Sequence, residues 1–242
     1  MSKEEIRQSL TPTHHALLFG WIARAVVQRA GEKKGEEVVR KATRRYGEQR
    51  GKRMALRAQA NGHALTMTHY FAYGEWTAPR TKGSQTMLEK KPHARARVHE
   101  CAWHATWQAE DLMSFGRLYC LEIDEALVRG FNPKLKLDVN STQATGGEHC
   151  EFVFHDANLN TWNLLTLAYK KAFKPGKRAF MSWDYHLGHL YKTMGEVVIK
   201  ELGQAGQEAV DEALAEFASR YGEDAAQIVE SYQETDFDRL PE

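Results

Sequence analysis

The hydrophobic residues of this chain change their period twice, and that pattern limits the fold more than any single motif. Near the N-terminus, Leu17, Leu18, Trp21, Ile22, Ala25 and Val26 recur at helical spacing. After a polar break at Gly31 to Gly35, Val38, Val39, Ala42, Tyr46, Met54 and Ala58 continue the pattern to about Ala60, with Gly47 and Gly51 in the middle. In the centre the period drops to two. Ala94, Ala96 and Val98 alternate with Arg95, Arg97 and His99, which predicts a strand over His93 to Cys101. Lys134 to Asn140 and Glu148 to His155 flank Gly146-Gly147 and read as a hairpin. A helix is predicted from Ala109 to Gly130, and helices return at Asn160 to Phe173, Trp183 to Leu202 and Gln207 to Tyr221. Residues 77–91 are polar and read as an exposed loop. The expectation is a single α+β domain over residues 1–242: helical at 12–61, sheet-containing at 92–156 and helical again at 158–230. Its small antiparallel sheet is expected to pack against the N- and C-terminal helices.

Charge and composition narrow the partners. The 33 Lys and Arg nearly balance the 32 Asp and Glu, so a general nucleic-acid binder is not expected. Residues 40–57 form a basic stretch, with Arg40, Lys41, Arg44, Arg45, Arg50, Lys52, Arg53 and Arg57. It reads as a solvated helix face complementary to the acidic C-terminal residues, with an RNA-binding stripe as the alternative. No apolar run approaches the roughly 18 residues of a membrane span. The N-terminal residues lack a signal-peptide layout, and three cysteines argue against a disulfide framework. A cytoplasmic protein acting on a small-molecule substrate is expected, with no membrane partner. A homo-oligomer is compatible with the sequence.

Several groups could carry chemistry. On the predicted helix 109–130, Cys120 and Asp124 are four apart and would share a face, with Gly116 opening a notch above the thiol. Glu100-Cys101-Ala102-Trp103-His104 crowds a carboxylate, a thiol and an imidazole at a strand end. His149 follows the glycine turn and faces away from Cys150, which shares its side with Phe152 and Phe154. Glu75 lies among aromatics and could bind an amidinium or ammonium group. His186, His189 and Glu196 lie on one helix face and could hold a divalent metal ion. The alternatives for these histidines are acid–base work or helix packing. Trp76, Trp103, Trp107 and Trp162 read as core or pocket wall. Walker, dinucleotide, Gly-x-Ser-x-Gly and Cys-x-x-Cys signatures are missing.

The ordered set Tyr46-Gly47-x-x-Arg50-Gly51, Tyr73-Gly74-Glu75-Trp76, Glu100-Cys101-x-x-His104, Gly116-x-x-Tyr119-Cys120-x-x-x-Asp124, Phe131-Asn132-Pro133 and Gly146-Gly147-x-x-Cys150-x-Phe152 resembles the L-2-amino-thiazoline-4-carboxylic acid hydrolase family over roughly residues 40–200. The resemblance implies a hydrolase that opens a carbon–nitrogen bond of a small cyclic amidine or amide. Cys120 or Cys101 would be the nucleophile, with His104 or His149 moving protons; an activated water is the other route. Asp124, Glu75 or Glu100 would hold the amidinium, and Arg50 or Arg53 a substrate carboxylate. The Gly-x-x-Cys-x-Phe hairpin also resembles the ligand-binding domain of 4-vinyl-reductase-like proteins, which implies a sensor or accessory module instead.

Overall fold

The computed structural model describes residues 2–76, 83–172 and 179–241. In chain order its elements are α1 (Lys3–Ser9), α2 (Pro12–Ala30), α3 (Glu32–Ala60), α4 (Met67–Ala72), β1 (Gln85–Glu89), β2 (Ala94–Val98), α5 (Ala102–Ala109), α6 (Met113–Cys120), α7 (Ile123–Phe131), β3 (Leu137–Ser141), β4 (Cys150–Phe154), α8 (Thr161–Ala172), α9 (Trp183–Leu202), α10 (Gln204–Tyr221) and α11 (Glu223–Glu230). The fold class is α+β. The chain divides into two compact units: Met1–Tyr46, Ala102–Glu122 and Ser182–Thr235 form one, and Gly47–Cys101, Ile123–Met181 and Asp236–Glu242 form the other.

The first unit is a helical bundle with α2 at its centre. Pro12 at the first turn and Thr11 before it start this helix. Residues Ala16 to Ala23 are all buried. A helix apolar on every side needs neighbours on every side, and α5, α6, α9 and α10 supply them. Phe19, Trp107 and Tyr119 meet edge-on or tilted within this core. Gly116 opens no notch here. A Cβ on it would lie 2.1 Å from the Trp107 ring, because the indole fills that space.

The second unit carries the sheet, antiparallel throughout in the order β1-β2-β4-β3. The alternation read from the sequence holds. Ala94, Ala96 and Val98 pair with Phe154, Phe152 and Cys150, and Leu137 and Val139 pair with Phe154 and Phe152. That face packs on Met67, Tyr70 and Phe71 from α4, Val128 from α7 and Leu164 from α8, with Ala157 and Leu159 between.

Two expectations are corrected. The loop predicted over 77–91 contains β1. This strand is exposed along its length, so as an edge strand it needs no apolar side; residues 77–82 lie outside the described residues. The helix predicted from Ala109 to Gly130 is broken into pieces. Asp111, at φ 52°, separates α5 from α6, and Leu121-Glu122 separate α6 from α7. At that second break the Glu122 carboxylate accepts from Arg40 at 2.6 Å and pairs with Arg44 at 2.9 Å.

The glycines at 47, 51 and 130 explain how α3 meets α7. A Cβ on Gly51 would fall 2.1 Å from the Leu127 carbonyl oxygen, and one on Gly130 would fall 2.3 Å from that of Glu48. The two backbones therefore touch along the second half of α7, while Gly47 lies against Ile123 and Ala126 nearer its start. Gly51→Ala is expected to cost stability at the upper end of the roughly 1–3 kcal/mol typical of overpacking. A urea midpoint equal to that of the wild type would contradict the close crossing.

Candidate active site

Arg50, Arg53 and Arg57 are spaced three and four apart on α3 and so share one helix face. All three are buried. Buried guanidinium groups need a counter-charge, and Glu75, just after α4, provides it. Arg53 grips both Glu75 oxygens, Nε to Oε1 at 2.9 Å and Nη2 to Oε2 at 2.8 Å, and its Nη1 donates to the Phe237 carbonyl at 2.7 Å. Arg57 Nη1 donates to Oε1 at 2.6 Å. Arg50 Nε stands 3.7 Å from Oε2, and its guanidinium carbon lies 3.3 Å from the ring centre of Trp76. Burial alone would raise the Glu75 pKa, but the arginines, Arg53 foremost, overcome it and hold the carboxyl at about 2. Glu75 is thus the counter-ion to these arginines. Arg53 has three nitrogens engaged and no exposed surface.

Asp124 sits in the first turn of α7 and keeps part of its surface open. Its surroundings push its pKa up to about 6. Burial is the main cause, the Arg50 guanidinium opposes it, and Glu125 adds to it. Tyr70 of α4 shares this environment: burial raises its phenol pKa, the Asp124 charge raises it further, and Arg50 lowers it. Burial likewise pushes the Cys150 thiol up to about 11, against a Gln143 backbone N–H that donates to its sulfur at 3.4 Å; Cys101 and Asp124 raise it further. Within the second unit, then, Arg50, Tyr70, Asp124 and Cys150 are electrostatic neighbours. They combine a fixed cation, a phenol donor and a carboxyl that titrates close to neutrality. A carboxyl in such surroundings can exchange a proton with a molecule that reaches it.

The opposite face of the sheet holds a second polar group. Glu151 accepts from Arg95 at 2.7 and 3.1 Å, from Arg97 at 2.7 Å and from Asn140 at 3.1 Å. Hydrogen bonds from Arg95 and then Arg97 hold its carboxyl at about 2. His149 Nε2 lies 3.7 Å from Glu151, and its ring is 5.8 Å from that of His99. The alternation that turns His149 away from Cys150 is therefore the observed one. Glu100 is exposed and Cys101 half-buried.

The remaining predicted residues belong to the first unit. Cys120 ends α6 and Asp124 lies beyond the break in α7, so the shared helix face expected from their four-residue spacing does not exist. His104 is half-buried on α5. His186 and His189 are fully buried among aromatic rings: His189 is 4.4 Å from Tyr46, and His186 is 5.4 Å from Trp183. Glu196 is exposed and pairs with Lys192 at 3.6 Å. The helix face is shared, but its far end is exposed, so the three do not gather. Among the described residues no group of three or more His, Cys, Asp or Glu stands where it could hold a metal ion.

Sequence reasoning passed over two features. Tyr70 stands outside every motif and period read from the sequence. His15 was hidden in the apolar run of α2. It is fully buried, with the Trp103 indole N–H donating to Nδ1 at 3.1 Å. That bond makes Nε2 the protonated nitrogen, so it donates to the Tyr46 hydroxyl at 2.9 Å.

The basic stretch of α3 is largely engaged within the protein. Lys41 binds Glu201 at 2.6 Å, Lys52 binds Asp238 at 3.1 Å, and Arg40 and Arg44 share Glu122. Among the described residues no helix is long and apolar enough to cross a membrane.

Neither the curated proteins nor the solved structures include a match to this chain. Residues 13–154, more than half of the chain, match a family described as L-2-amino-thiazoline-4-carboxylic acid hydrolase. The matched range contains Arg50, Tyr70, Glu75, Asp124 and all three cysteines, and the chain belongs to the L-2-amino-thiazoline-4-carboxylic acid hydrolase family.

Proposed function

We propose that this protein is a hydrolase that adds water across a carbon–nitrogen bond of a small cyclic amidine or amide, with Asp124 as its proton-transfer group. The family supports the reaction class, and the observation that carries the assignment is the Asp124 carboxyl, on a half-buried residue, its pKa pushed up to about 6 by burial against the opposing charge of Arg50. Opening an amidine ring requires a new bond to the amidine carbon and a proton on the departing nitrogen. A carboxyl that titrates just below neutrality can take a proton from attacking water and return it to that nitrogen. Arg50, its guanidinium carbon 3.3 Å from the Trp76 ring centre, sets a fixed positive charge that acts on Asp124.

Two routes to the carbon differ in their nucleophile. In one, water attacks directly. In the other, a thiolate of Cys101 or Cys120 forms a covalent intermediate, with His104 or His149 carrying protons. Cys150 is a poor nucleophile, because a thiol with a pKa near 11 is almost wholly protonated at neutral pH. The test is a screen of cyclic amidines, hydantoins and related ureas, read by mass spectrometry for the gain of one water. Ligand held tightly with no turnover would favour the accessory-module reading. On an identified substrate, Cys101→Ala and Cys120→Ala separate the routes. A thiolate mechanism predicts that one of them loses at least about a hundredfold in kcat; full activity in both assigns the attack to water.

A further inference from the structure

Arg53 and Arg57 lie one turn apart on α3 and both donate to Glu75, but their hydrogen bonding differs. Arg53 donates from Nε, Nη1 and Nη2. Among the described residues, the Arg57 side chain donates from Nη1 alone, to the Glu75 Oε1 that also accepts from Arg53 Nε. Arg57 Nη2 is buried and has no hydrogen-bond partner there. This nitrogen has given up water without gaining an acceptor, and the loss is greatest for a donor that carries charge.

The charge of Arg57 is also only partly met. Buried charges in proteins are paired, yet Arg57 holds a share in one oxygen of one carboxylate. The acid nearest in sequence to the Phe237 carbonyl, Asp238, binds Lys52 and Gln49, each at 3.1 Å. A cation would be repelled beside Arg57, and a neutral acceptor would leave its charge as it is. A small anion makes good both deficits, and a planar guanidinium suits a carboxylate best. Exposure picks out the same residue. The Arg57 side chain keeps 10% of its surface, against 2% for Arg50 and 0% for Arg53, so of the three it is the one that an incoming anion can reach.

We infer that Arg57 anchors a binding site for a small carboxylate, which accepts from Nη2 and adds a second negative charge to the arginine cluster. The inference stands apart from the hydrolase reading: it concerns binding and needs no turnover.

The experiment follows the melting temperature of the intact protein as sodium acetate replaces sodium chloride at fixed pH and ionic strength. A saturable rise of about 2–4 °C is expected for the wild type. Arg57→Lys keeps a positive charge for Glu75 but has one nitrogen in place of the fork, so its half-saturation should need at least about tenfold more acetate. A purely structural role would lower the melting temperature of the variant and leave its acetate dependence unchanged. A wild-type protein that does not respond to acetate overturns the inference, as does an equal response from the variant. If chloride serves equally well, the exchange gives no rise and the assignment to a carboxylate fails. Should the variant not fold, a crystal structure of the wild type grown in acetate decides: a carboxylate hydrogen-bonded to Arg57 Nη2 supports the site, and a water in that place overturns it.

Discussion

Glu75→Gln is expected to destabilise the second unit by about 3–5 kcal/mol, the range for breaking a buried ion pair by removing one partner. The amide keeps the shape of the carboxylate but removes the negative charge to which Arg53 and Arg57 donate. Arg50 stands 3.7 Å away. In the variant three buried cations would repel one another. Against a typical total stability of about 5–15 kcal/mol, this change is large. The same site predicts an acid transition. Glu75 has a folded pKa of about 2 against 4.5 for an unperturbed glutamate, so folding lowers its proton affinity. Its contribution is present above about pH 4.5 and is lost as the pH falls through about 2; it amounts to about 3 kcal/mol. Urea unfolding at neutral pH and across the acid range tests both statements. A variant within about 1 kcal/mol of the wild type, and with the same acid dependence, would show that the arginines find another counter-charge.

What was legible in the sequence, and what was not, follows from the range of each interaction. The strand alternation at 94–98 and 150–154 and the long helix at 183–202 could be read because their signals are local periods. β1 could not, since an exposed edge strand carries no period. The break at Asp111 has neither glycine nor proline to announce it and depends on one backbone angle. Glu75 was visible as an isolated carboxylate among aromatics, but its principal partner, Arg53, lies 22 residues earlier. Before folding, nothing distinguishes a carboxylate that waits for a ligand from one already spoken for by the chain. Asp124 was selected for a helix face that turned out to be broken. What marks it in the structure is its surroundings, to which α3, α4 and α7 contribute through Arg50, Tyr70 and Glu125. Gly47 and Gly51 in α3 are the sequence signal for that convergence, because a side chain at either would collide with α7.

Asp124→Asn should move activity and stability in opposite directions, which separates a working carboxyl from a structural one. On a cyclic amidine that the wild type hydrolyses, loss of the proton-transfer group is expected to lower kcat/KM by about 10²–10⁴. The wild-type rate should carry a titration near pH 6, absent from the residual rate of the variant. Stability should rise. The folded state raises the Asp124 pKa from 3.8 to about 6, so folding favours the protonated form. As the pH rises through that window, ionisation withdraws about 2–3 kcal/mol, somewhat less where solvent still reaches the group. Asparagine never ionises and escapes that cost, so the variant should be more stable than the wild type near pH 7 and lose the advantage below about pH 4. Chemical denaturation at the two pH values, alongside the assay, tests the pair. If the variant is less stable at neutral pH, the carboxylate is a hydrogen-bonded part of the framework. If it is more stable but fully active, the proton comes from elsewhere. Only a gain in stability joined to a loss of turnover fits a carboxyl kept in an unfavourable environment for its chemistry.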